Sequence, residues 1–282
     1  MAYQTIIDRK PSTYVARAAK HTALWLALAF AFLPLFLMLN ISMKSNAQFY
    51  TSPFGLTLPF TWSNWVKASA IVTPYLANTA VVAISSTAMT LCLALAAGYF
   101  FARVHVPLSG FLWQALVFLM MLPAIANLTP LFILLRDMKL LNTLWALIFV
   151  TTAMGEAFAI FVLRNFIEEL PQELFEAAEV DGAGHFWQFS RIVVPLSGPM
   201  AGAVGIMHLL RAWNDFMLPL VVLRDPGKWT ITLGLMRLDG EYVKYWGIMM
   251  AGYALSSIPI VVLFFLTMRL FIRGLTEGAV KG

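Results

Sequence analysis

The chain has 282 residues, of which 60% are hydrophobic and only 12% are charged, and its mean hydropathy is +0.78. A soluble domain carries about 25% charged residues, so this composition excludes an ordinary soluble enzyme and indicates a single membrane domain. The formal net charge is +5, but the basic residues lie at the ends of apolar segments, which is typical of membrane proteins and predicts no nucleic-acid partner. The single cysteine, Cys92, excludes an internal disulfide and a cysteine-based metal site.

Six apolar segments are each long enough to cross the hydrocarbon of a bilayer, which takes about 20 helical residues. Because a spanning segment has to satisfy its own backbone hydrogen bonds, each segment is predicted to be an α-helix. The predicted fold class is therefore all-α, a polytopic membrane protein with six transmembrane helices. The predicted spans are residues 22–41, 76–101, 111–134, 143–164, 198–223 and 246–271.

The charges around the first span predict its orientation. Four basic residues precede this span, and only Lys44 and Lys67 occur in the loop that follows it. Since the more basic side usually stays in the cytoplasm, we expect an uncleaved signal anchor in a bacterial inner membrane, with both termini cytoplasmic. The predicted organisation is a cytoplasmic segment at 1–21, a transmembrane domain at 22–271 and a cytoplasmic tail at 272–282, with exported loops at 42–75 and 224–245 and a cytoplasmic loop at 165–197.

The cytoplasmic loop is predicted to fold as a helix, a turn and a second helix. Pro171 suits the first position of a helix, and Gly182 suits the left-handed residue that ends one. After this turn, Phe186, Phe189 and Val193 recur at helical spacing until Pro195 is expected to stop the second helix. The loop holds six acidic residues and no Lys or Arg between residues 165 and 190, so it is either a docking surface for a basic partner or a solvated acidic loop.

The spacing of this loop resembles a known family. Glu176-Ala177-Ala178 is followed after three residues by Gly182, and after nine more by Ile192 and Pro195, with Val194 between them. The permease subunits of binding-protein-dependent ABC importers carry such an EAA loop, with Leu at the position of Val194. The resemblance implies that this loop contains a coupling helix, and that Glu176, Ala177, Ala178, Asp181, Gly182, Ile192 and Pro195 couple the chain to an ATPase.

Further segments resemble the carbohydrate branch of that family, the maltose-type permeases. They are Asn78-Thr79, Pro130-Leu131, Leu141-Asn142-Thr143, Trp213-Asn214-Asp215-Phe216 and the closing stretch from Gly274. The resemblance implies an ATP-driven importer of a sugar or sugar derivative, in which the chain pairs with a second, related permease subunit as a heterodimer.

The same resemblance implies the remaining partners. Two ATPase subunits should dock through residues 168–195, an exported solute-binding protein should deliver the sugar, and lipid should surround the spans. The sequence contains no G-x-x-x-x-G-K-[ST] motif. The chain is therefore predicted not to be an enzyme and to hold no cofactor, with ATP and Mg²⁺ bound on the partner ATPase subunits.

Ionisable residues inside the predicted spans are candidates for a substrate pathway, because burying them in a membrane is costly. Glu156 lies in the fourth span, and His208, Arg211 and Asp215 share one face of the fifth, beside Asn214. One interpretation is that Arg211 and Asp215 simply form an internal ion pair. The other is that Arg211, Asn214, Asp215 and Glu156, with Asn78, line the pathway for the sugar, with Arg211 meeting an anionic group if the solute has one.

An ion-coupled secondary transporter is the alternative function, in which Glu156 and Asp215, with His208, would relay protons. It differs from the importer in needing no partner ATPase. His21, His105 and His185 are isolated in the sequence, so no metal site and no catalytic constellation are predicted.

Overall fold

The predicted apolar segments are helical in the computed structural model, which describes residues 11–104, 107–122, 127–238 and 244–279. Every regular element within these ranges is a helix, which confirms the all-α prediction. The long helices are α1 (Pro11–Ser42), α3 (Ser63–Arg103), α6 (Leu144–Glu168) and α13 (Trp246–Ala279). The shorter ones are α2 (Asn46–Thr51), α4 (Ser109–Met120), α5 (Leu128–Asp137), α7 (Gln172–Val180), α8 (His185–Gln188), α9 (Val194–Leu196), α10 (Gly198–Trp213), α11 (Met217–Val222) and α12 (Ile231–Gly234).

The third and fifth predicted spans are not single helices. Residues 111–134 contain α4 and α5, with residues 123–126 outside the described ranges. Residues 198–223 contain α10 and α11, separated by Asn214, Asp215 and Phe216. In the described ranges, four helices are long and apolar enough to cross a membrane, or five if the helical stretch His185–Leu196 and α10, bent by 71°, form one span. The count of six spans therefore stays a prediction.

The second long helix begins well before the predicted span. α3 starts at Ser63 and continues through Pro74, so the prediction of a loop over residues 42–75 is wrong for 63–75. The helix persists because Val72 and Tyr75 are buried in one apolar cluster with Met249 of α13. Membrane helices tolerate proline where neighbouring elements support the freed backbone groups.

The remaining loop before α3 is folded around a buried lysine. Lys44 is only 1% exposed, and its Nζ donates to the carbonyl oxygens of Ser52, Pro53 and Gly55 at 2.7, 3.0 and 2.5 Å. An ammonium group has three donors, so these carbonyls satisfy it completely. Lys44 therefore organises the loop, although it is counted above only as a flanking positive charge.

α3 is the central helix of the described part and packs against α6, α10 and α13. Small residues allow the close contacts that membrane helices use. A Cβ added to Gly98 of α3 would lie 3.1 Å from the backbone nitrogen of Arg164 on α6. α1 packs on α13, and its most apolar stretch has no buried residue, as expected for a helix that faces lipid.

The predicted second exported loop and the predicted tail both contain helix. Residues 224–245 include two 3₁₀ turns, Pro226–Lys228 and Leu235–Leu238, and α12, with residues 239–243 outside the described ranges. α13 continues past the predicted end of the last span at residue 271, so the tail at 272–282 is helical as far as Ala279. Residues 1–10 and 280–282 also lie outside the described ranges.

Candidate functional site

The first arm of the loop at 165–197, which is predicted to be cytoplasmic, is α7, and Gly182 ends this helix as predicted. Gly182 has φ +79°, a left-handed conformation that residues with a Cβ rarely adopt. Its N–H donates to the carbonyl of Glu179 at 2.9 Å, and the N–H of Ala183 donates to that of Ala178 at 2.8 Å. This pair of bonds is a Schellman motif, so the helix-turn prediction is confirmed at this point.

The second arm does not stop at Pro195, so that prediction is wrong. After α8 the chain forms a π-helical turn, Phe189–Val193, and then continues as α9 through Pro195 to Leu196. In a regular α-helix, the ring of proline clashes with the carbonyl four residues earlier. The wider π-helical turn directly before Pro195 provides room for the ring, and the chain changes direction only at Ser197, where α10 follows.

Arg103, the last residue of α3, attaches the predicted coupling loop at 165–197 to the long apolar helices. Its Nη2 donates to the carbonyl oxygens of Ile167 at 2.9 Å and of Leu170 at 2.6 Å. Its Nη1 donates to Oε1 of Gln172 at 2.6 Å, and its guanidinium lies 4.3 Å from the ring centre of Phe175 on α7. Carbonyls at the end of α6 lack intrahelical donors, and a single arginine supplies these donors while stacking on the first helix of the loop.

A second contact connects α3 to the other arm. The hydroxyl of Tyr99 donates to Oε1 of Gln188 at 2.9 Å and lies 3.1 Å from Nδ1 of His185. Gln188 is only 3% exposed. Tyr99 also belongs to an apolar cluster with Ile167, Phe175 and Val193. The loop is therefore a folded unit seated on the ends of α3 and α6, and its acidic residues are exposed, so both the docking surface and the solvated acidic loop remain open at this point.

The predicted coupling residues divide between the two sides of this unit. Ala178 is buried and Ile192 packs on the apolar cluster, so these two hold the loop in place. The others are exposed on its outer surface: Glu176, Ala177, Asp181, Gly182 and Pro195.

Two apolar side chains extend that outer surface. Val180 is 88% exposed and Phe186 is 82% exposed. Phe186 therefore points outward, in contrast to the predicted apolar stripe that it was expected to share with the buried Val193. The sequence alone does not identify Arg103 and Tyr99 as residues that hold the loop. It shows only a basic and an aromatic residue near the end of a predicted span.

A cavity of about 500 Å³ lies where α10 ends. Three of the predicted pathway residues, Arg211, Asn214 and Asp215, line it. The rest of its wall comes from several helices: Leu128 of α5, Thr151 and Met154 of α6, Ala212 of α10, Phe216, and Met217 and Leu218 of α11. The break between α10 and α11 therefore faces a cavity, which is where irregular backbone is tolerated at membrane depth.

Arg211 and Asp215 do not form the internal ion pair. The described ion pairs include Arg136–Asp137 and Arg164–Glu168, and Arg211 makes no direct salt bridge to Asp215, although the two side chains attract each other electrostatically. Asp215 instead accepts a hydrogen bond at Oδ1 from the backbone N–H of Leu218, in the first turn of α11, at 3.3 Å. Its backbone carbonyl accepts from the hydroxyl of Thr232 at 2.6 Å. Asp215 thus has a structural role at the wall of the cavity.

Three other polar residues of the predicted spans lie outside the cavity wall. His208 is buried, with Nδ1 3.0 Å from the hydroxyl of Thr87 and Nε2 3.2 Å from the carbonyl of Thr151. Because a carbonyl only accepts, Nε2 carries the proton and Nδ1 accepts from Thr87. Asn78 donates to the carbonyls of Gly227 and Trp229, both at 3.0 Å, and so fastens the loop after α11. The carboxylate oxygens of Glu156 are buried without a hydrogen-bond partner in the described part of the chain.

Residues 93–277 match the protein family described as binding-protein-dependent transport system inner membrane component. That match covers more than half of the chain. The chain belongs to this family of importer permeases. Membership confirms the resemblance to the importer permeases and confirms a permease component without ATPase activity of its own, since ABC importers hydrolyse ATP on separate subunits. The family also implies ATPase and binding-protein components as partners.

The permease is similar to several named relatives. It is 32% identical over 263 residues to the arabinooligosaccharides transport system permease protein AraQ of Halalkalibacterium halodurans, covering 89% of this chain and 93% of AraQ. It is 29% identical over 254 residues to the melibiose/raffinose/stachyose import permease protein MelC of Bacillus subtilis, covering 89% and 92%.

The fold of the permease also has a counterpart of known structure. A crystal structure of a bacterial ABC transporter involved in the import of the acidic polysaccharide alginate superimposes with a TM-score of 0.82. The superposition covers 95% of this chain and 99% of that chain at 18% identity. It shows that the permease has the fold of an ABC importer membrane subunit.

Proposed function

We propose that this permease is a transmembrane subunit of an ATP-driven importer that carries a sugar or sugar derivative across the bacterial inner membrane. The relatives AraQ and MelC are named for the transport of oligosaccharides, which supports a sugar as the solute. The permease pairs with a second, related permease subunit, and an exported solute-binding protein delivers the sugar to the pair. Lipid surrounds the apolar helices.

The coupling loop at 165–197 transmits ATP hydrolysis to the membrane helices. Two ATPase subunits, which bind ATP and Mg²⁺, dock on the permease pair, and this loop provides the contact from this chain. The observation that carries the proposal is the attachment of the loop by Arg103, whose side chain reaches from α3 to the carbonyls that end α6 and to α7. A loop held this rigidly moves together with the spans. Its contact surface consists of Glu176, Ala177, Asp181, Gly182 and Pro195, with Ala178 and Ile192 supporting it from inside.

The substrate pathway includes the cavity at the break between α10 and α11. Arg211, Asn214 and Asp215 provide its polar groups, which supports contact with a polar solute there. Asn78 and Glu156 are not included, because Asn78 fastens a loop and Glu156 does not line the cavity. We further infer six spans over residues 22–271, with both termini cytoplasmic and with residues 43–62 and 224–245 exported.

Family membership favours this function over an ion-coupled secondary transporter. In that alternative, Glu156, Asp215 and His208 would form a proton relay. Both ring nitrogens of His208 are instead engaged by Thr87 and Thr151, and the Asp215 carboxylate accepts from the backbone N–H of Leu218.

Uptake measurements test the proposed function. Labelled mono- and oligosaccharides should be supplied to cells with and without this gene, in a background that retains the neighbouring importer genes. We expect at least one saccharide to enter only when the gene is present, and uptake to stop when the ATPase gene is deleted. Uptake that survives loss of the ATPase gene would contradict the proposal.

A further inference from the structure

The cavity at the end of α10 contains a guanidinium group without a protein acceptor. Arg211 is exposed to the cavity. In the described ranges it makes no direct hydrogen bond or salt bridge, although the carboxylate of Asp215 is near enough to attract it electrostatically. We propose that Arg211 binds an oxyanion on the transported sugar, so that the solute of this importer is an acidic saccharide. This inference rests on the proposed function and deepens it.

The position of Arg211 makes its exposure informative. Thr151, which also lines the cavity, lies seven residues from the start of α6, which is about 10 Å along the helix axis. Under the proposed six spans, the cavity therefore lies within the membrane. A positive charge within a membrane is costly unless it faces water or an acceptor. The open cavity and the nearby carboxylate of Asp215 reduce that cost. A solute that carries its own negative charge supplies the direct acceptor that Arg211 lacks.

The other polar and titratable groups near Arg211 have hydrogen-bond partners within the protein, so Arg211 is the group that we expect to bind an anion. The carboxylate of Asp215 is used by the backbone N–H of Leu218. The amide of Asn214 donates to the carbonyl of Leu210 at 2.8 Å. His208 is the remaining titratable group near Arg211, and both of its ring nitrogens are engaged. Arg211 is thus the cationic group on the wall, and within the described ranges its donors have no direct hydrogen-bond partner.

The chemistry of the guanidinium group defines the class of ligand. Its donors form a planar fork that matches two oxygens of a carboxylate, sulfonate or phosphate. A sugar hydroxyl offers one oxygen and no charge, so it gains less from this fork. An acidic ring should therefore be preferred over the neutral ring of the same shape, and lysine, a point charge without the fork, should replace Arg211 only in part.

Matched pairs of saccharides test the proposal in cells that contain the complete importer. Labelled digalacturonate, dimannuronate, cellobiouronate and sulfoquinovosyl glycerol should be compared with galactobiose, mannobiose, cellobiose and glucosyl glycerol. The permease variants are wild type, Arg211→Gln, Arg211→Lys and, as the matched control, Arg224→Gln. Arg224 is another exposed arginine, but it lies outside the cavity.

We expect the wild-type importer to take up at least one acidic saccharide. Arg211→Gln should lower that uptake by about tenfold or more, the loss expected for a charged hydrogen-bonded pair, and Arg211→Lys should be intermediate. Any neutral saccharide that is carried should keep its rate, and Arg224→Gln should behave as wild type. Wild-type uptake of neutral saccharides alone would overturn the proposal, as would an equal loss of both classes in Arg211→Gln.

A purification separates this proposal from the proposed function. The tagged permease should copurify with its second permease and ATPase subunits in wild type and in Arg211→Gln. Loss of these subunits only in Arg211→Gln would overturn the oxyanion site in favour of an acidic group on a neighbouring subunit. Their absence from wild type, together with no ATP-dependent uptake, would instead contradict the proposed function itself.

Discussion

Gly155 on α6 lies directly against His208 on α10, so that a Cβ added to Gly155 would overlap the imidazole ring. The ring is held on the other side by hydroxyl groups of α3. His208 therefore connects three membrane helices in a space that leaves no room for one additional carbon atom.

We expect Gly155→Ala to destabilise the permease. The methyl group has to displace the imidazole from Thr87 and Thr151, and overpacking of this kind costs about 1–3 kcal/mol. Thermal unfolding of the purified complex in detergent measures the effect. Gly198→Ala in α10 is the control, because a Cβ there meets nothing within 4 Å and should leave the unfolding temperature unchanged or slightly raised. A Gly155→Ala complex as stable as wild type would show that His208 moves freely.

Gly182→Val should abolish transport and ATPase recruitment while leaving membrane insertion intact. The φ of +79° costs an L-residue about 1–2 kcal/mol, and a β-branched side chain resists it further. Gly182→Pro should have the same effect. Gly184→Ala is the matched control, since Gly184 has φ −76° and open space around it. Copurification of the ATPase reports the outcome, and wild-type recruitment by both Gly182 variants would disprove the docking role of the loop.

Arg103→Lys should uncouple ATP hydrolysis from transport although it keeps the charge. A lysine lacks the planar fork that contacts Ile167, Leu170 and Gln172 together. Loss of charged hydrogen bonds of this kind corresponds to about tenfold lower occupancy of the docked position or more. The ratio of sugar transported to ATP hydrolysed in proteoliposomes is the measurement. Arg191→Lys, an exposed arginine on the second arm, is the control. An unchanged ratio in Arg103→Lys would show that the loop is positioned without this residue.

Reporter fusions test the proposed orientation. A reporter that is active only in the cytoplasm should work when fused after residues 20, 106, 185 and 282, and should fail after residues 60, 139 and 235. The last of these follows α12, in the second loop assigned to the exported side. Cytoplasmic activity from the fusion at 235 would contradict the six-span arrangement, because it would place the loop fastened by Asn78 on the wrong side.

The sequence predicts the helical class and the turn at Gly182 because both depend on local rules. Apolar length specifies a membrane helix, and a left-handed cap selects glycine. Lys44, by contrast, reads as a solvated positive charge, since its carbonyl partners come from a loop whose path cannot be derived from spacing. The extension of α3 through Pro74 also depends on tertiary packing, because burial against α13 outweighs the local preference of proline.

The pathway residues illustrate the same limit. Helical periodicity correctly places His208, Arg211 and Asp215 on related positions of one segment, but the segment is interrupted after Trp213. Because of this interruption, the carboxylate of Asp215 accepts a hydrogen bond from the backbone N–H of Leu218 in α11. Arg211 therefore has no direct salt bridge to Asp215. Neither helical spacing nor residue type signals this break. The sequence is therefore equally consistent with an ion pair between Arg211 and Asp215 and with both residues lining a cavity.

α3 places a loop contact near each of its ends. Asn78 donates hydrogen bonds to the loop after α11, and Arg103 donates hydrogen bonds to the loop at 165–197. No proline occurs between these two residues, and the intervening helix is about 37 Å long at the ordinary rise per residue. Any sliding or rotation of α3 along its axis therefore displaces the anchor points of both loops together. In the proposed topology these loops lie on opposite faces of the membrane, so a single helix links movements on the two sides.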